Sequence, residues 1–323
     1  MFPKRKNPFA FSGTIFCLVS ALGYTATNIC MRRLTALDCD PFWAVFNREF
    51  VTTVLVGPWL LYRAIHGRPT LPSGRTLGRI LLAGLLIQLV GNICVQWSLG
   101  MVGLAVTIPV VFGIMITSGA VLGHIGLGER VSARSAIAIT LLLAALALLG
   151  LGAETAGRAI AAVKATPPGT VILALAVAAA GLAGAVYALL NTVIRHSVTQ
   201  TTLPTAVAFL VPLMGVIGLG PICVARLGMQ TLVSTPWEQL ALMVGAGVFN
   251  LIGFLGLING LQRTTVVHAN VLNASQVAMA ALAGVMLFHE SPNPWLLLGI
   301  GLTIAGIVDI DRPAETAEEI LPP

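Results

Sequence analysis

Long apolar runs with almost no charge are the feature that most constrains how this chain of 323 residues can fold. One helical crossing of a bilayer takes about 20 residues, and runs of that length are separated by short charged segments. Only 9% of the residues are charged, against about 25% in a soluble globular protein. We therefore predict an all-α integral membrane protein, because barrel strands would alternate polar and apolar residues. The ten predicted spans cover roughly residues 9–31, 41–62, 77–98, 101–124, 133–152, 169–193, 203–225, 237–259, 266–288 and 294–311.

Two parts of the chain follow the same plan. Pro109 and Glu129 are separated in sequence by the same distance as Asn270 and Glu290. In the first and sixth predicted spans, a tyrosine, an asparagine and an arginine follow one another at intervals of one helical turn. A duplication of this kind is typical of secondary transporters. The residues of the first span are Tyr24, Asn28 and Arg32; each has its equivalent at the same offset in the sixth span, at Tyr187, Asn191 and Arg195.

The ten spans divide into five and five around a small, polar stretch. An odd number of spans in each half forces the second half into the opposite orientation, so we predict two inverted five-helix repeats. The predicted parts are an N-terminal segment (1–8), a first five-helix unit (9–152), a linker (153–168), a second five-helix unit (169–312) and a C-terminal tail (313–323).

The positions of Lys and Arg near the span ends predict the orientation. Positively charged loops stay in the cytoplasm, and twelve of these residues fall on the side of the N-terminus, against five on the other side. We therefore expect a multi-pass protein of the inner cell membrane with both termini in the cytoplasm. The loop between Arg63 and Arg79 is the main contributor.

Several other classes are disfavoured by the same sequence. The net charge is +6, but the basic residues are scattered singly in loops, so no nucleic-acid surface is expected. The five cysteines show no C-x-x-C spacing, and no metal site or disulfide is expected. Cys39, which lies in a loop, is the cysteine expected to be accessible. The sequence contains no cofactor motif, no ATP-binding motif and no enzyme motif.

The ordered set of motifs resembles the EamA type of the drug/metabolite transporter superfamily, in which two five-helix EamA units follow each other. The features are Arg48 in FNREFVTTVLVGPWLL, Pro109 leading to GLGER with Glu129, and Glu290 in LFHESPNPWLLLGIGLTIAGIVDI. The resemblance covers about residues 9 to 312. It implies export or exchange of small metabolites. The second unit departs from the first, because Asn270 stands in place of Pro109.

Three amides fall on one predicted helix face in the third span. Gln88, Asn92 and Gln96 are spaced at i, i+4 and i+8, and such residues share one side of a regular helix. Polar groups inside a membrane usually face the bundle interior or a wet cavity. We predict that they line a substrate cavity, with hydrogen bonds between helices as the alternative.

Amides of other spans extend the same prediction. Asn270, Asn273 and Gln276 form a similar stripe in the ninth span, so we expect them to line the cavity from the second half. Asn28 and Asn191 are repeat-related candidates for the cavity or its gates, although helix packing accounts for them equally well.

The charged residues of the second span suggest two further roles. Arg48 could bind an anionic group of a substrate through its planar guanidinium, or tie two helices together. Adjacent helical residues point about 100° apart, so we expect Arg48 and Glu49 not to bond well to each other. Glu49 and His268 are candidates for proton coupling, with a structural role as the alternative.

Prolines and glycines mark predicted gates and contacts. We expect the seventh span to be kinked or broken, because it contains Pro212, Gly215, Gly218, Gly220 and Pro221. Pro109 is included among the gating candidates. The G-x-x-x-G pairs at Gly119 and Gly256 allow close helix packing, either within the bundle or across a homodimer seam.

Together these features predict a secondary transporter. The expected solutes are small metabolites, with export of amino acids, their analogues or similar solutes as the leading interpretation. Alternating access around a cavity at the membrane midplane is the predicted mechanism. The alternatives are a membrane receptor or scaffold that does not transport, and, less favoured, a membrane-embedded enzyme.

Overall fold

The computed structural model describes residues 8–67, 70–72, 74–102, 104–128, 136–137, 139–141, 143–144, 170–200, 203–288, 294–295, 297–299, 301–302 and 305. All regular secondary structure in these residues is helical. The helices are α1 (Pro8–Ala36), α2 (Pro41–Ile65), α3 (Gly74–Leu86), α4 (Ile93–Val102), α5 (Leu104–Leu127), α6 (Thr170–Gln200), α7 (Pro204–Val233), α8 (Trp237–Arg263), α9 (Val266–Asn273) and α10 (Ser275–Phe288). A π-helical segment, Ile87–Asn92, joins α3 to α4 without a loop.

Six helices of the described residues are long and apolar enough to cross a membrane. They agree with the predicted all-α, multi-pass integral membrane protein. Most of the fifth and tenth predicted spans lies outside the described residues, as do Glu129 and Glu290. The six are Ser12–Ala36, Gly74–Val102, Thr107–Leu127, Val171–Val198, Pro204–Val233 and Trp237–Arg263.

The two remaining predicted spans depart from a plain apolar helix. The 25-residue helix α2 is not among the six, and it carries Arg48 and Glu49 in its interior. The ninth predicted span is divided at Ala274, which caps α9 and precedes α10. Both departures lie beside the polar residues of the bundle interior.

Helices from the two halves of the chain pack against each other in matching pairs. The first helix, α1, packs along α8, and α6 packs along the helix Gly74–Val102. In the same way α5 packs against α6, α9 and α10 pack against α1, and α2 packs against α7. The principal contacts of the bundle therefore connect the halves.

Glycines allow the closest of these contacts. A methyl group added at Gly23 of α1 would lie 2.6 Å from the backbone nitrogen of Gly253 in α8. One added at Gly256 would lie 2.8 Å from the nitrogen of Ser20. Close backbone approach of this kind stabilises helix pairs in lipid, where hydrophobic burial gives little driving force. Gly119 similarly faces Asn270 of α9, so these motif glycines make contacts within the chain.

The outer surface of the bundle is apolar. Large side chains that are more than half exposed occur on several helices and would face lipid, whose acyl chains accept them at no cost. Buried polar side chains instead lie between the helices, and most of them have a hydrogen-bond partner; Ser275 Oγ has none among the described residues. Examples of the exposed side chains are Leu61, Leu82, Ile125, Val171 and Met286.

The predicted break of the seventh span at its prolines is wrong, and a kink there stays a prediction. Helix α7 includes both Pro212 and Pro221, and its non-helical residue is Gly228, with φ 74° and ψ 150°. Helix α5 likewise includes Pro109. Proline already has a helical φ and removes only one donor, which membrane helices tolerate. Positive φ is instead easily adopted by glycine.

Candidate functional site

A cavity of about 130 Å³ lies between the helices of both halves. Its polar wall comes mainly from α1, α2, the Gly74–Val102 helix, α8 and the α9–α10 junction, and its apolar wall mainly from α5. The lining residues are Tyr24, Thr27, Asn28, Arg48, Glu49, Ile87, Gln88, Asn92, Val95, Ile108, Val111, Phe112, Met115, Tyr187, Leu190, Asn191, Val211, Asn250, Phe254, Leu257, Asn273 and Gln276.

The charged residues of the cavity wall form one ion pair. Arg48 donates from Nε to Glu49 Oε1 at 2.8 Å and from Nη2 to the same oxygen at 2.5 Å. The expectation that these neighbours do not bond to each other is wrong. The Cβ atoms diverge, but the long flexible arginine stem bends back over the shorter glutamate. Burial favours this arrangement, because an unpaired charge in the interior is costly.

The ion pair lies against a glycine of the second half. A methyl group added at Gly215 of α7 would lie 2.9 Å from Glu49 Cγ and 3.0 Å from Gln88 Cδ. These distances are too short for an ordinary side-chain contact, so only glycine leaves room for both side chains. The sequence places this glycine among the residues of a predicted helix break and gives no sign of its contact with the ion pair.

An amide network connects the third predicted span to both neighbouring helices of the second half. Asn92 donates to Gln88 Oε1, and its own Oδ1 accepts a hydrogen bond of 2.7 Å from the hydroxyl of Tyr187 in α6. Gln88 in turn donates to the carbonyl oxygen of Val211 in α7 at 3.3 Å. The two amides are therefore held in place while they line the cavity.

Gln96 is not part of the cavity wall formed by the other two amides. It donates to the hydroxyl of Thr35 at 2.9 Å and does not line the cavity. It lies about 12 Å further along the helix axis than Gln88, beside Thr35 near the end of α1. The prediction that all three amides line the cavity is wrong for Gln96.

The α9–α10 junction brings a second group of amides to the cavity. Asn273 Oδ1 accepts hydrogen bonds from Ser20 of α1 at 2.9 Å and from Gln276 at 3.2 Å. Asn273 and Gln276 both line the cavity. Asn270 does not, because it is completely buried behind Asn191, from which it accepts a hydrogen bond of 2.8 Å. Of the three residues predicted to line the cavity from the ninth span, Asn273 and Gln276 do so, and Asn270 instead holds Asn191 from behind.

The repeat-related residues of α1 and α6 occupy similar places. Asn28 and Asn191 both line the cavity, as do Tyr24 and Tyr187. Within the described residues the amide of Asn28 makes no hydrogen bond, so it remains available to a bound molecule. Asn250 of α8 was missed by sequence analysis, although a lone asparagine within an apolar span is a signal of its own. It lines the cavity and donates to Thr52 at 3.3 Å.

His268, the other proton-coupling candidate, lies away from the cavity. Its Nε2 is 3.2 Å from the hydroxyl of Thr14 in α1, and its backbone nitrogen donates to Thr265 at the start of α9. Of the gating candidates, Pro109, Pro212 and Pro221 do not line the cavity either. Among the described residues no group of three or more His, Cys, Asp or Glu side chains is arranged to hold a metal ion.

The cavity is therefore a small space with two kinds of wall. Ile108, Val111, Phe112 and Met115 of α5 give it an apolar side. Its polar side consists of one ion pair and several amides, which offer both hydrogen-bond donors and acceptors. This arrangement suits reversible binding of a small polar molecule that also carries an apolar part.

Comparisons with known proteins agree with this architecture. The sequence pattern of the EamA-like transporter family matches residues 11–151 and, a second time, residues 162–310. No curated protein sequence matches the chain. Among solved structures, 28 chains match. One of them, a crystal structure described only as that of a protein, aligns with a TM-score of 0.63 over 94% of this chain and 95% of that chain, at 15% sequence identity.

At that identity the structural likeness establishes the fold alone. The family pattern, however, covers most of the chain and occurs in two tandem units. Its family name describes membrane transporters, and the apolar helices are those of a multi-pass integral membrane protein. The resemblance seen in Arg48, Glu129 and Glu290 is confirmed: the chain belongs to the EamA-like transporter family.

Proposed function

We propose that the chain is a secondary transporter that moves small metabolites by alternating access around the cavity between its halves. Ten spans would form two inverted five-helix units, 9–152 and 169–312, joined by the linker 153–168. Support comes from the duplicated family match, from helix pairs that connect the halves, and from the equivalent residues of α1 and α6 at one constant offset. Rocking of one unit against the other would expose the cavity to each side in turn.

The observation that carries this proposal is the chemistry of the cavity wall. Both halves contribute to one space that contains a buried ion pair and amides, and the most buried of these polar groups are fixed by hydrogen bonds between helices. Ionisable groups inside membrane proteins usually serve a solute or ion pathway. A scaffold or receptor has no need of polar groups brought to one space from so many helices.

The proposed solutes are amino acids, their analogues and metabolites of similar size. They match the dimensions of the cavity, and they combine polar groups with an apolar part, as its two walls do. We further propose export, in the inner cell membrane, with both termini in the cytoplasm. The excess of Lys and Arg on that side of the predicted spans supports this orientation.

Flux through proteoliposomes tests the proposal. The purified protein is reconstituted, and efflux of a labelled amino-acid mixture is compared with that of empty vesicles. Asn92→Leu and Asn273→Leu remove hydrogen-bonding groups from the two sides of the cavity. Each is expected to reduce flux about tenfold, the effect of roughly 1.4 kcal/mol of lost interaction.

Gln96→Leu is the matched control, because it removes a buried amide from the same span at a position that does not reach the cavity. It should retain flux near that of the unmodified protein. Wild-type flux no greater than that of empty vesicles would overturn the transporter proposal. Equal flux in all three variants would show that the cavity is not the solute pathway.

A further inference from the structure

The charges of the cavity wall balance each other. Arg48 and Glu49 are its two charged residues, and their side chains are only 12% and 3% exposed. The other ion pairs found among the described residues, Arg33–Glu238 and Arg226–Asp40, each include a side chain that is more than half exposed. The cavity therefore contains a deep ion pair but no net charge.

The bonding capacity of this ion pair is only partly used. Both hydrogen bonds from Arg48 end on the same oxygen, Glu49 Oε1. Within the described part of the chain, Arg48 Nη1 and Glu49 Oε2 have no hydrogen-bond partner. A guanidinium has five N–H donors and a carboxylate has two acceptor oxygens. Each member of the pair can thus make a first hydrogen bond to a solute while the internal pair is still formed, before the solute replaces it.

The position of the pair limits which charged solutes can bind there. A solute with only a carboxylate would take Arg48 and leave Glu49 as an uncompensated buried charge, which is strongly unfavourable. A solute with only an ammonium group would strand Arg48 in the same way. A zwitterion brings both charges, so Arg48 and Glu49 each keep an opposite partner.

Neighbouring groups fit a compact zwitterion with an apolar substituent. Gly215 lies directly against both Glu49 and Gln88, so the pair is confined on the side of α7. Asn28, whose amide is free of partners within the described residues, lines the same space. The apolar wall formed by α5 can receive the substituent, while the cavity volume of about 130 Å³ restricts its size.

We propose that Arg48 and Glu49 form an exchangeable ion pair that recognises zwitterions: the solute carboxylate binds Arg48 while its ammonium group binds Glu49. This inference rests on the proposed transport function and assigns its specificity to two residues. Binding replaces one internal ion pair by two pairs with the solute and keeps the cavity neutral. Release restores the internal pair, so the empty protein never holds an unpaired charge.

Three series of probes test the inference on the unmodified protein in lipid nanodiscs. Each series compares a zwitterion with its decarboxylated amine and its deaminated acid. The series are alanine, ethylamine and propanoate; leucine, 3-methylbutylamine and 4-methylpentanoate; and phenylalanine, 2-phenylethylamine and 3-phenylpropanoate. Calorimetric titration at pH 7 should show that at least one zwitterion binds about tenfold or more tightly than both of its derivatives. Equal affinity within every series, or no zwitterion binding at all, overturns the inference.

Two variants give a readout that a merely structural ion pair would not produce. Glu49→Gln leaves a net positive cavity, so the preferred probe should change from the zwitterion to the acid. Arg48→Gln leaves a net negative cavity and should change the preference to the amine. Gln96→Leu, outside the cavity, should keep the order of the unmodified protein. Retention of that order in Glu49→Gln contradicts the inference, and if the variants do not fold, the wild-type comparison decides alone.

The same probes separate this inference from the proposed function. Flux of acids, amines and zwitterions with equal efficiency would leave the transporter proposal intact and overturn recognition by the ion pair. Wild-type flux no greater than that of empty vesicles, for every probe and for the amino-acid mixture, would overturn the transport function itself.

Discussion

Helices α2 and α7 contact the same cavity but supply different chemistry. At the offset that relates Tyr24 to Tyr187, Arg48 and Glu49 of α2 correspond to Val211 and Pro212 of α7. Both helices nevertheless begin at an equivalent proline, Pro41 in α2 and Pro204 in α7. The two helices begin at equivalent positions, but the charged pair that lines the cavity occurs in α2 alone.

Packing around the two helices is also repeated. A methyl group added at Gly84 of α3 would lie 3.3 Å from Val211 Cα, and one added at Gly247 of α8 would lie 3.0 Å from the carbonyl oxygen of Arg48. Each glycine thus contacts the helix that bears the equivalent residue of the other half. The comparison teaches that the backbone packing is the same in both halves, whereas the residues proposed to bind the solute differ: they are charged in α2 and apolar at the equivalent positions of α7.

The largest expected effect comes from removing one charge of α2. Arg48→Leu leaves Glu49 unpaired in the interior and should lower the free energy of unfolding by about 3–5 kcal/mol. The double change Arg48→Leu with Glu49→Leu should recover most of that stability, because no unpaired charge remains. Flux should be lost in both variants. Unfolding by a graded denaturing detergent, combined with proteoliposome flux, measures the two effects separately.

Val211→Leu is the control in α7, at the position equivalent to Arg48. It changes the size of an apolar side chain by one methylene and should cost less than about 2 kcal/mol. A double α2 variant that transports as well as the unmodified protein would contradict the specialisation of the two helices.

A methyl group at Gly215 tests the closest contact between α7 and the ion pair. Gly215→Ala would force Glu49 and Gln88 to move, with an expected cost of about 1–3 kcal/mol from overpacking and reduced flux. The equivalent position of α2 is occupied by Thr52. The packing of the helix itself therefore leaves room for a side chain, and the ion pair is what excludes one at Gly215. Thermal unfolding and flux would be measured together.

Gly100→Ala serves as the comparison, because its nearest neighbour would be Thr35 Cγ2 at 3.8 Å. This contact is an ordinary one, and alanine favours a helix over glycine by about 1 kcal/mol. If Gly215→Ala were as stable and active as Gly100→Ala, the argument for an obligatory glycine beside the ion pair would be wrong.

The two equivalent tyrosines should differ in their contribution to stability. Tyr187→Phe removes the hydrogen bond to Asn92 and should cost about 1 kcal/mol. Tyr24→Phe should change stability by less than about 0.5 kcal/mol, because its hydroxyl has no hydrogen bond to the described residues. Unfolding of the two variants under one set of conditions gives the difference directly. An equal loss of stability in the two variants would mean that the hydroxyl of Tyr24 also makes a hydrogen bond.

The last comparison changes neither stability nor flux: it asks from which side of the membrane two thiols can be labelled. Cys39 lies between α1 and α2, and Leu203→Cys would place a thiol before α7. If the halves are inverted, a membrane-impermeant maleimide should reach Cys39 from outside the cell. In a Cys39→Ser background it should reach the new thiol from the cytoplasm only. Labelling of both thiols from one side would contradict the inverted arrangement.

The rate of Cys39 labelling should depend on pH. Burial, together with the charge of Asp40, raises the pKa of the Cys39 thiol to about 11. Because the thiolate is the reactive form, labelling should be slow at pH 7 and should accelerate about tenfold per pH unit up to that pKa. A rate that levels off near pH 8.5 would show that the thiol is more exposed.

Many residues of the bundle interior could be predicted from the positions of polar side chains within apolar spans, because polar groups are costly in lipid. Gln88, Asn92, Asn270 and Asn273 are each at most 8% exposed, as expected of polar residues within apolar spans. The family was also recognisable from an ordered set of short motifs, and the family match confirms it.

The errors concern geometry that residue spacing does not encode. The shared helix face of Gln88, Asn92 and Gln96 does not say how far the cavity extends along the axis, and Gln96 lies beyond it, beside Thr35. The bond between Arg48 and Glu49 depends on side-chain conformation rather than on Cβ direction. The break in α7 lies at the positive φ of Gly228, which the positions of the prolines do not indicate.

The π-helical segment Ile87–Asn92 has a consequence for how the Gly74–Val102 helix orients its side chains. The wide turn takes up one residue that a regular helix would have placed about 100° further round the axis. Side chains before and after it therefore keep the relative directions of a regular helix that is one residue shorter. Deleting one residue from Ile87–Asn92 should close the wide turn and leave α3 and α4 facing their present neighbours, so this is the place where the span can change its length by one residue without turning its ends.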